Sequence, residues 1–227
     1  MSDRQNIAII GTGRMGSAFG KRLSALGHAI TYGSRTPHSE AVQNLLQEQG
    51  ASVSASSIAE AASQADAVLL ATPHSALADI LPELGTLKGK TVIDVTNALV
   101  MADTGLMQLL PDASGETIQV AKPEAKVVKA FNTIGFHVIA NPQAAGGPVS
   151  VMLASDHPNA KTYAAELAEV LGFTSVDVGP IAHARYLEGM AALYMVPYLQ
   201  GRMTEAFEFY LQQGAAPKES KGVRAAG

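Results

Sequence analysis

Cysteine is absent from the 227-residue chain. That excludes disulfides, thiolate metal sites, iron–sulfur clusters and cysteine nucleophiles. Tryptophan is absent as well and aromatic residues make up only 5%, which argues against aromatic stacking platforms. Charge is sparse, at 16% of residues with a net of -4, so the chain as a whole is not a strongly basic nucleic-acid binder. No apolar run reaches the roughly 18 residues that a membrane span needs. The polar segment Met1–Asn6 leads straight into a short apolar run, without the core of a signal peptide. These absences predict a cytoplasmic protein with neither a membrane nor a nucleic-acid partner.

What is present is globular. Apolar residues reach 47%, enough to bury a core without staples. Short apolar runs alternate with helical segments over most of the length. The runs are Ile7–Ile10, Ala29–Tyr32, Ala67–Ala71, Thr91–Val95, Val127–Phe131, Ser150–Ala154 and Ser175–Val178, with a weaker one at Ala51–Ser54. Several are continuously apolar, as in strands covered on both faces. Helices are expected at Arg14–Leu26, Ser39–Gln49, Ser57–Gln64, Ser75–Leu81 and Pro158–Leu171. The expected fold class is α/β: a doubly wound, mostly parallel Rossmann sheet over residues 1–180. Met101–Ala121 reads as a loop with a short helix. Residues 181–213 read as a C-terminal helical appendage bent near Pro197, and 214–227 as a mobile tail.

The glycines are positioned rather than scattered. Gly11-Thr12-Gly13-Arg14-Met15-Gly16 follows the first strand and opens the first helix. A strand, turn, helix and strand within about thirty residues is the context in which G-x-G-x-x-G binds a dinucleotide. Gly11 allows the tight turn, Gly13 admits a pyrophosphate close to the backbone, and Gly16 lets helix and strand pack closely. The pyrophosphate then rests on the free N–H groups at the helix start. The second strand ends Tyr32-Gly33-Ser34-Arg35-Thr36-Pro37, with no acid to accept a ribose 2′-hydroxyl. Arg35 suits a 2′-phosphate, with hydroxyls of Ser34 and Thr36 beside it. The cofactor read from these residues is NADP(H).

Two further strand ends fall where ligands bind in open α/β sheets. Thr72 and Pro73 close the fourth strand and Asn97 follows the fifth, placing all three beside the nicotinamide ribose. His74 is the weak catalytic candidate, a titratable ring at a helix start that fits a bystander equally well. Of the other histidines, His28, His38 and His157 read as solvated surface positions, while His137 and His183 fall nearer the site. No histidine pair has metal-ligand spacing, so no metal is expected.

These segments (GTGRMG, YGSRTP, ATPH, DVTNAL and Lys129-Ala130-Phe131-Asn132-Thr133) together resemble the NADP oxidoreductases dependent on coenzyme F420, a deazaflavin. They also resemble the cytoplasmic domain of the STEAP metalloreductases. The resemblance implies hydride transfer between NADP(H) and a second redox partner, coenzyme F420 or FAD/FMN. Carried over, it places Gly11, Thr12, Gly13, Arg14, Met15 and Gly16 on the pyrophosphate and Ser34 and Arg35 on the 2′-phosphate. Thr72, Pro73 and Asn97 then line the inner ribose, while Ala130, Phe131, Asn132 and Thr133 edge the nicotinamide. Phe131 fits core packing at a strand end equally well.

The chain has no Tyr-x-x-x-Lys, and its length leaves no room for an all-helical hydroxyacid-dehydrogenase domain. That favours transfer between two cofactor rings, where the protein supplies orientation. Three alternatives remain: an NADPH-dependent flavin or ferric reductase, a reductase of a small imine or carbonyl, and a non-catalytic NADPH-sensing module. In Ala182–Gln213, Tyr186, Leu187, Met190, Leu193, Tyr194, Tyr198 and Tyr210 form an apolar surface broader than one helix face needs. It serves either a second-cofactor pocket or a homodimer seam.

Overall fold

The computed structural model describes residues 4–103, 107–199, 201, 208–212 and 214. In chain order the strands are β1 (Asn6–Ile10), β2 (Ala29–Gly33), β3 (Val53–Ser56), β4 (Ala67–Leu70), β5 (Thr91–Asp94), β6 (Leu99–Met101), β7 (Met107–Leu109), β8 (Lys126–Lys129), β9 (Ser150–Ala154) and β10 (Thr174–Gly179). The helices are α1 (Arg14–Ala25), α2 (Glu40–Gln49), α3 (Ile58–Gln64), α4 (Leu77–Glu83), α5 (Ser114–Ala121), α6 (Phe136–Ala140), α7 (Pro158–Val170) and α8 (Ala184–Leu199).

Eight strands form one sheet in the order β10-β9-β8-β5-β4-β1-β2-β3. All neighbouring pairs run parallel except β8 and β9, which meet antiparallel at Lys129 and Ala154. The doubly wound sheet expected from the alternation is therefore present, with one reversed junction.

Strand alternation divides the core into two layers. Ile7 and Ile9 point to the layer of Phe19 and Leu23 from α1, Val138 from α6 and Leu167 from α7. Ala8 and Ile10 point to the layer of Ile58 from α3, Leu77 and Ile80 from α4 and Ile118 from α5. Covering both faces explains why β4, Ala-Val-Leu-Leu, is wholly buried and carries no polar residue.

Three local expectations change. Met101–Ala121 contains more than a loop and a helix, because β6 and β7 pair as an antiparallel hairpin. Three-residue strands are too short to print a periodicity. A short helix, α6, follows β8 where none was expected. The helix expected to continue to Gln213 is described as far as Leu199, and residues 208–212 are not helical. Ser150 N–H donates to the Phe209 carbonyl (2.8 Å), and Leu211 N–H to Ser150 Oγ (3.0 Å). The chain thus returns to the start of β9 and packs Phe209 against Met152 and Leu187. The mobility expected of 215–227 lies outside the described residues. Among those described, no helix is long and apolar enough to cross a membrane.

Candidate functional site

The carboxyl edge of the parallel strands carries the candidate site. At the β1–α1 turn, Gly11 has φ +117, and a Cβ there would stand 2.5 Å from the Ala71 carbonyl oxygen. A Cβ on Gly16 would stand 2.0 Å from the Gly11 oxygen. Only glycine fits either place. Around Gly13, by contrast, nothing lies within 4 Å of the Cβ position, so the loop opens onto space.

The helix ladder begins with Ser17 N–H donating to the Gly13 carbonyl (2.8 Å). The helix has no side-chain cap and no acid in its first turn. The N–H groups before Ser17 and the positive dipole end therefore face the opening, ready for an anion. Arg14 leaves this opening by stacking over the Phe136 ring, 5.4 Å from its centroid.

Thr72 forms the wall beside Gly11, and its Oγ1 is buried without a hydrogen-bond partner. An orphaned buried hydroxyl beside an open glycine cradle is what a missing polar ligand leaves behind. The residues thus fit a dinucleotide. At the other end, β2 stops at Gly33, and Ser34 Oγ accepts from Thr36 N–H (3.1 Å). Arg35 is exposed and forms no ion pair among the described residues. A cation held at the end of this strand by a hydroxyl-braced turn suits a phosphate.

At the ends of β5 and β8 the chain builds the inner wall. Phe131 takes φ +60, a left-handed conformation costing about 1–2 kcal/mol for a non-glycine residue. Its ring is buried edge-on against Phe19, at 5.3 Å between centroids. Phe131 therefore belongs to the core, and the turn it makes sends Asn132 toward Asn97. Asn132 Nδ2 donates to Asn97 Oδ1 (2.9 Å) and to the Leu187 carbonyl (3.0 Å). Ala130 and Thr133 are 0% and 2% exposed, so they shape the wall from behind more than they offer surface.

Beneath this wall lies a buried charged cluster. Lys129 Nζ donates to Asp94 Oδ2 (2.9 Å), to Glu188 Oε1 (2.6 Å) and to the Thr96 carbonyl. Lys129 and Asp94 are 0% exposed and Glu188 1%. His74 begins a 3-10 turn after Pro73, and its Nδ1 lies 2.9 Å from Ser114 Oγ. That fixes the ring against the start of α5.

Further along, Gly135 N–H donates to Glu208 Oε1 (3.3 Å), and the Tyr194 hydroxyl donates to the same oxygen (3.5 Å). Glu208 Oε2 is buried without a partner. Burial pushes the Glu208 carboxyl up to about 7, against the two hydrogen bonds that favour its charged form. His137 packs beside Gly135, with Tyr194 on the same side. His183 Nδ1 lies 2.5 Å from the Val178 carbonyl, which fixes it away from the cradle. His28, expected on the surface, is 5% exposed and takes the Gln5 N–H on Nδ1. Burial holds it below the usual histidine range.

Glu188, Ser114 and Glu208 were not found from the sequence. A signal existed for two partners in the cluster: Lys129 interrupts an apolar strand and Glu188 an apolar helix, and charges in such places are paired when buried.

Comparison with known proteins fits this geometry. Residues 6–98 match the model of the family described as NADP oxidoreductase, coenzyme F420-dependent. A protein from Arthrobacter sp. FB24, provisionally assigned as an F420-dependent NADP reductase, has a crystal structure that superposes with TM-score 0.84. It is 30% identical, over 92% of this chain and 100% of that one. The chain belongs to the F420-dependent NADP oxidoreductase family. As a member of that family it is an NADP-dependent oxidoreductase. A hypothetical protein from Sinorhizobium meliloti is 35% identical with TM-score 0.69, over 79% of this chain and 87% of that one. Metalloreductase STEAP3 of Rattus norvegicus is 27% identical over 191 residues, 81% of this chain but 36% of that protein. The chain thus spans about a third of that relative's length.

Proposed function

We propose that the protein transfers a hydride between NADP(H) and a deazaflavin, coenzyme F420 or a ring of the same class, bound against the Asn97–Asn132 wall. The observation that carries this reading is the likeness to the Arthrobacter protein along its whole length. The main chain of Gly11, Thr12, Gly13, Arg14, Met15 and Gly16 holds the pyrophosphate. Ser34, Arg35 and Thr36 hold the 2′-phosphate. Thr72, Pro73 and His74 border the ribose, and the Thr72 hydroxyl gains the partner it lacks. Asn97, Ala130, Asn132 and Thr133 set the plane of the nicotinamide. NADPH supplies the hydride, and these residues keep the two rings in contact and exclude water.

A second reading is an NADPH-dependent flavin or ferric reductase. It is favoured by the 27% identity to a metalloreductase. On either reading the second redox partner is a small molecule, and we place the reaction in the cytoplasm. We also propose a homodimer. Val100, Met101 and Leu109 on the hairpin and Tyr186 and Leu193 on α8 are all exposed apolar side chains, and a second copy covers them. Sedimentation at micromolar concentration decides this: a monomer overturns it.

One assay separates the redox readings. The protein is mixed with NADPH and, in turn, coenzyme F420, FAD, FMN and a ferric chelate, and nicotinamide absorbance is followed. Oxidation with F420 alone supports the first reading. Oxidation with flavin or iron but not F420 replaces it with the second. No turnover with any acceptor contradicts both.

A further inference from the structure

One carboxylate from the C-terminal helix joins a loop, a helix start and a strand end at the nicotinamide end. Glu188 Oε2 accepts the N–H of Ala98 (3.0 Å), the residue after Asn97. Glu188 Oε1 accepts the N–H of Ser114 (2.9 Å), whose hydroxyl meets His74. The same Oε1 takes the Lys129 ammonium, three residues before Asn132. The preceding helix residue, Leu187, offers the carbonyl that holds Asn132 Nδ2. The other side of Lys129 is closed by Asp94, whose Oδ1 accepts the Thr96 N–H (2.9 Å) and hydroxyl (2.6 Å).

Lys129 itself is not a proton donor to substrate. Its three donors are spent on Asp94, Glu188 and the Thr96 carbonyl, and it is 0% exposed. Nor is the cluster explained by stability alone. Apolar side chains of the same volume hold buried helices at least as well as buried ion pairs do. They cannot accept main-chain N–H groups from a loop and a helix start together with a cation from the end of a strand. A fully satisfied buried network of this kind fixes one arrangement of its members.

We propose that Glu188 is a positioning residue for the nicotinamide. Through Ala98, Ser114 and Lys129 it sets Asn97, the His74 ring and Asn132, so that docking of α8 and assembly of the nicotinamide wall are one event. The inference rests on the reading of this edge as the nicotinamide end. The adenosine end, at Gly11–Gly16 and Arg35, lies outside the network and is independent of it.

The test compares two ligands by calorimetry: NADPH, which has the nicotinamide half, and adenosine 2′,5′-bisphosphate, which lacks it. In the wild type NADPH binds more tightly than the bisphosphate. Glu188→Gln keeps the size but cannot hold all three donors. It lowers NADPH affinity by about tenfold and leaves bisphosphate affinity within about threefold. The emission of bound NADPH moves toward that of the free cofactor. Thr96→Val, which removes only the hydroxyl on Asp94, gives the same pattern at smaller size and decides the matter if Glu188→Gln does not fold. Leu167→Ala, in the core under α7, lowers thermal stability and leaves the ratio of the two affinities unchanged.

Equal affinities of the two ligands in the wild type overturn the proposal. So does a Glu188→Gln protein with the wild-type ratio, or one that loses both ligands in parallel. Failure of the wild type to bind NADPH at all instead contradicts the NADP(H) reading itself.

Discussion

The Lys129 ammonium and Glu188 Oε1 lie 2.6 Å apart, across 59 residues of sequence and with both side chains shut off from solvent. This pair ties the C-terminal helix to the central sheet directly under the candidate nicotinamide wall. Removing either partner leaves a charge in the interior without its counterpart.

Lys129→Met is therefore expected to destabilise the protein by about 3–5 kcal/mol, because two buried carboxylates lose the cation between them. Denaturant unfolding measures this. A loss below about 1 kcal/mol, the size of an exposed pair, contradicts the burial assigned to the cluster.

Gly16→Ala forces a methyl against the Gly11 carbonyl oxygen, which would lie 2.0 Å from it. The turn must move to relieve the contact, and the cradle moves with it. NADPH affinity should fall by about tenfold or more, near 1.4 kcal/mol. Gly13→Ala meets no protein atom within 4 Å. It should weaken NADPH binding while leaving the thermal stability of the ligand-free protein near wild type, and calorimetry with thermal melts separates the two cases.

Glu208 gives a pH dependence of definite sign. Its carboxyl rises from 4.5 in the unfolded chain to about 7 in the fold, chiefly through burial. Between those values the folded state binds more protons, so stability contributed here falls as pH rises. Glu208→Gln removes this dependence. Wild type and variant should therefore diverge as pH rises from 4.5 to about 7, with the wild type losing ground. Parallel melting curves across that window contradict the assignment.

What could be read in advance was local. The β1–Gly11–α1 unit prints itself in the consecutive residues Asn6 to Ala25, because strand period, turn glycines and helix period each need only near neighbours. The position of Arg35, the one charge at the end of β2, could be read for the same reason. The Lys129–Glu188 pair was not, since nothing in either segment says which distant charge answers it. The β6–β7 hairpin escaped because three residues carry no period. The return of Phe209 to β9 escaped because apolar spacing on Ala182–Gln213 suits both a long helix and a shorter one followed by a packed segment. His28 looked like a turn residue, yet its ring is buried beside the Gln5 main chain. Turn chemistry predicts backbone shape better than exposure.

The central claim is that this edge of the sheet binds NADP(H) through Arg35, and binding to the wild type and to Arg35→Ala tests it most directly. Calorimetry with NADPH and NADH should show the wild type preferring NADPH by at least about tenfold, as one charge-assisted phosphate contact is worth about 1.5–3 kcal/mol. Arg35→Ala should lose that preference with NADH affinity unchanged. Equal affinity for both nucleotides in the wild type, or an equal fall for both in the variant, would contradict the account.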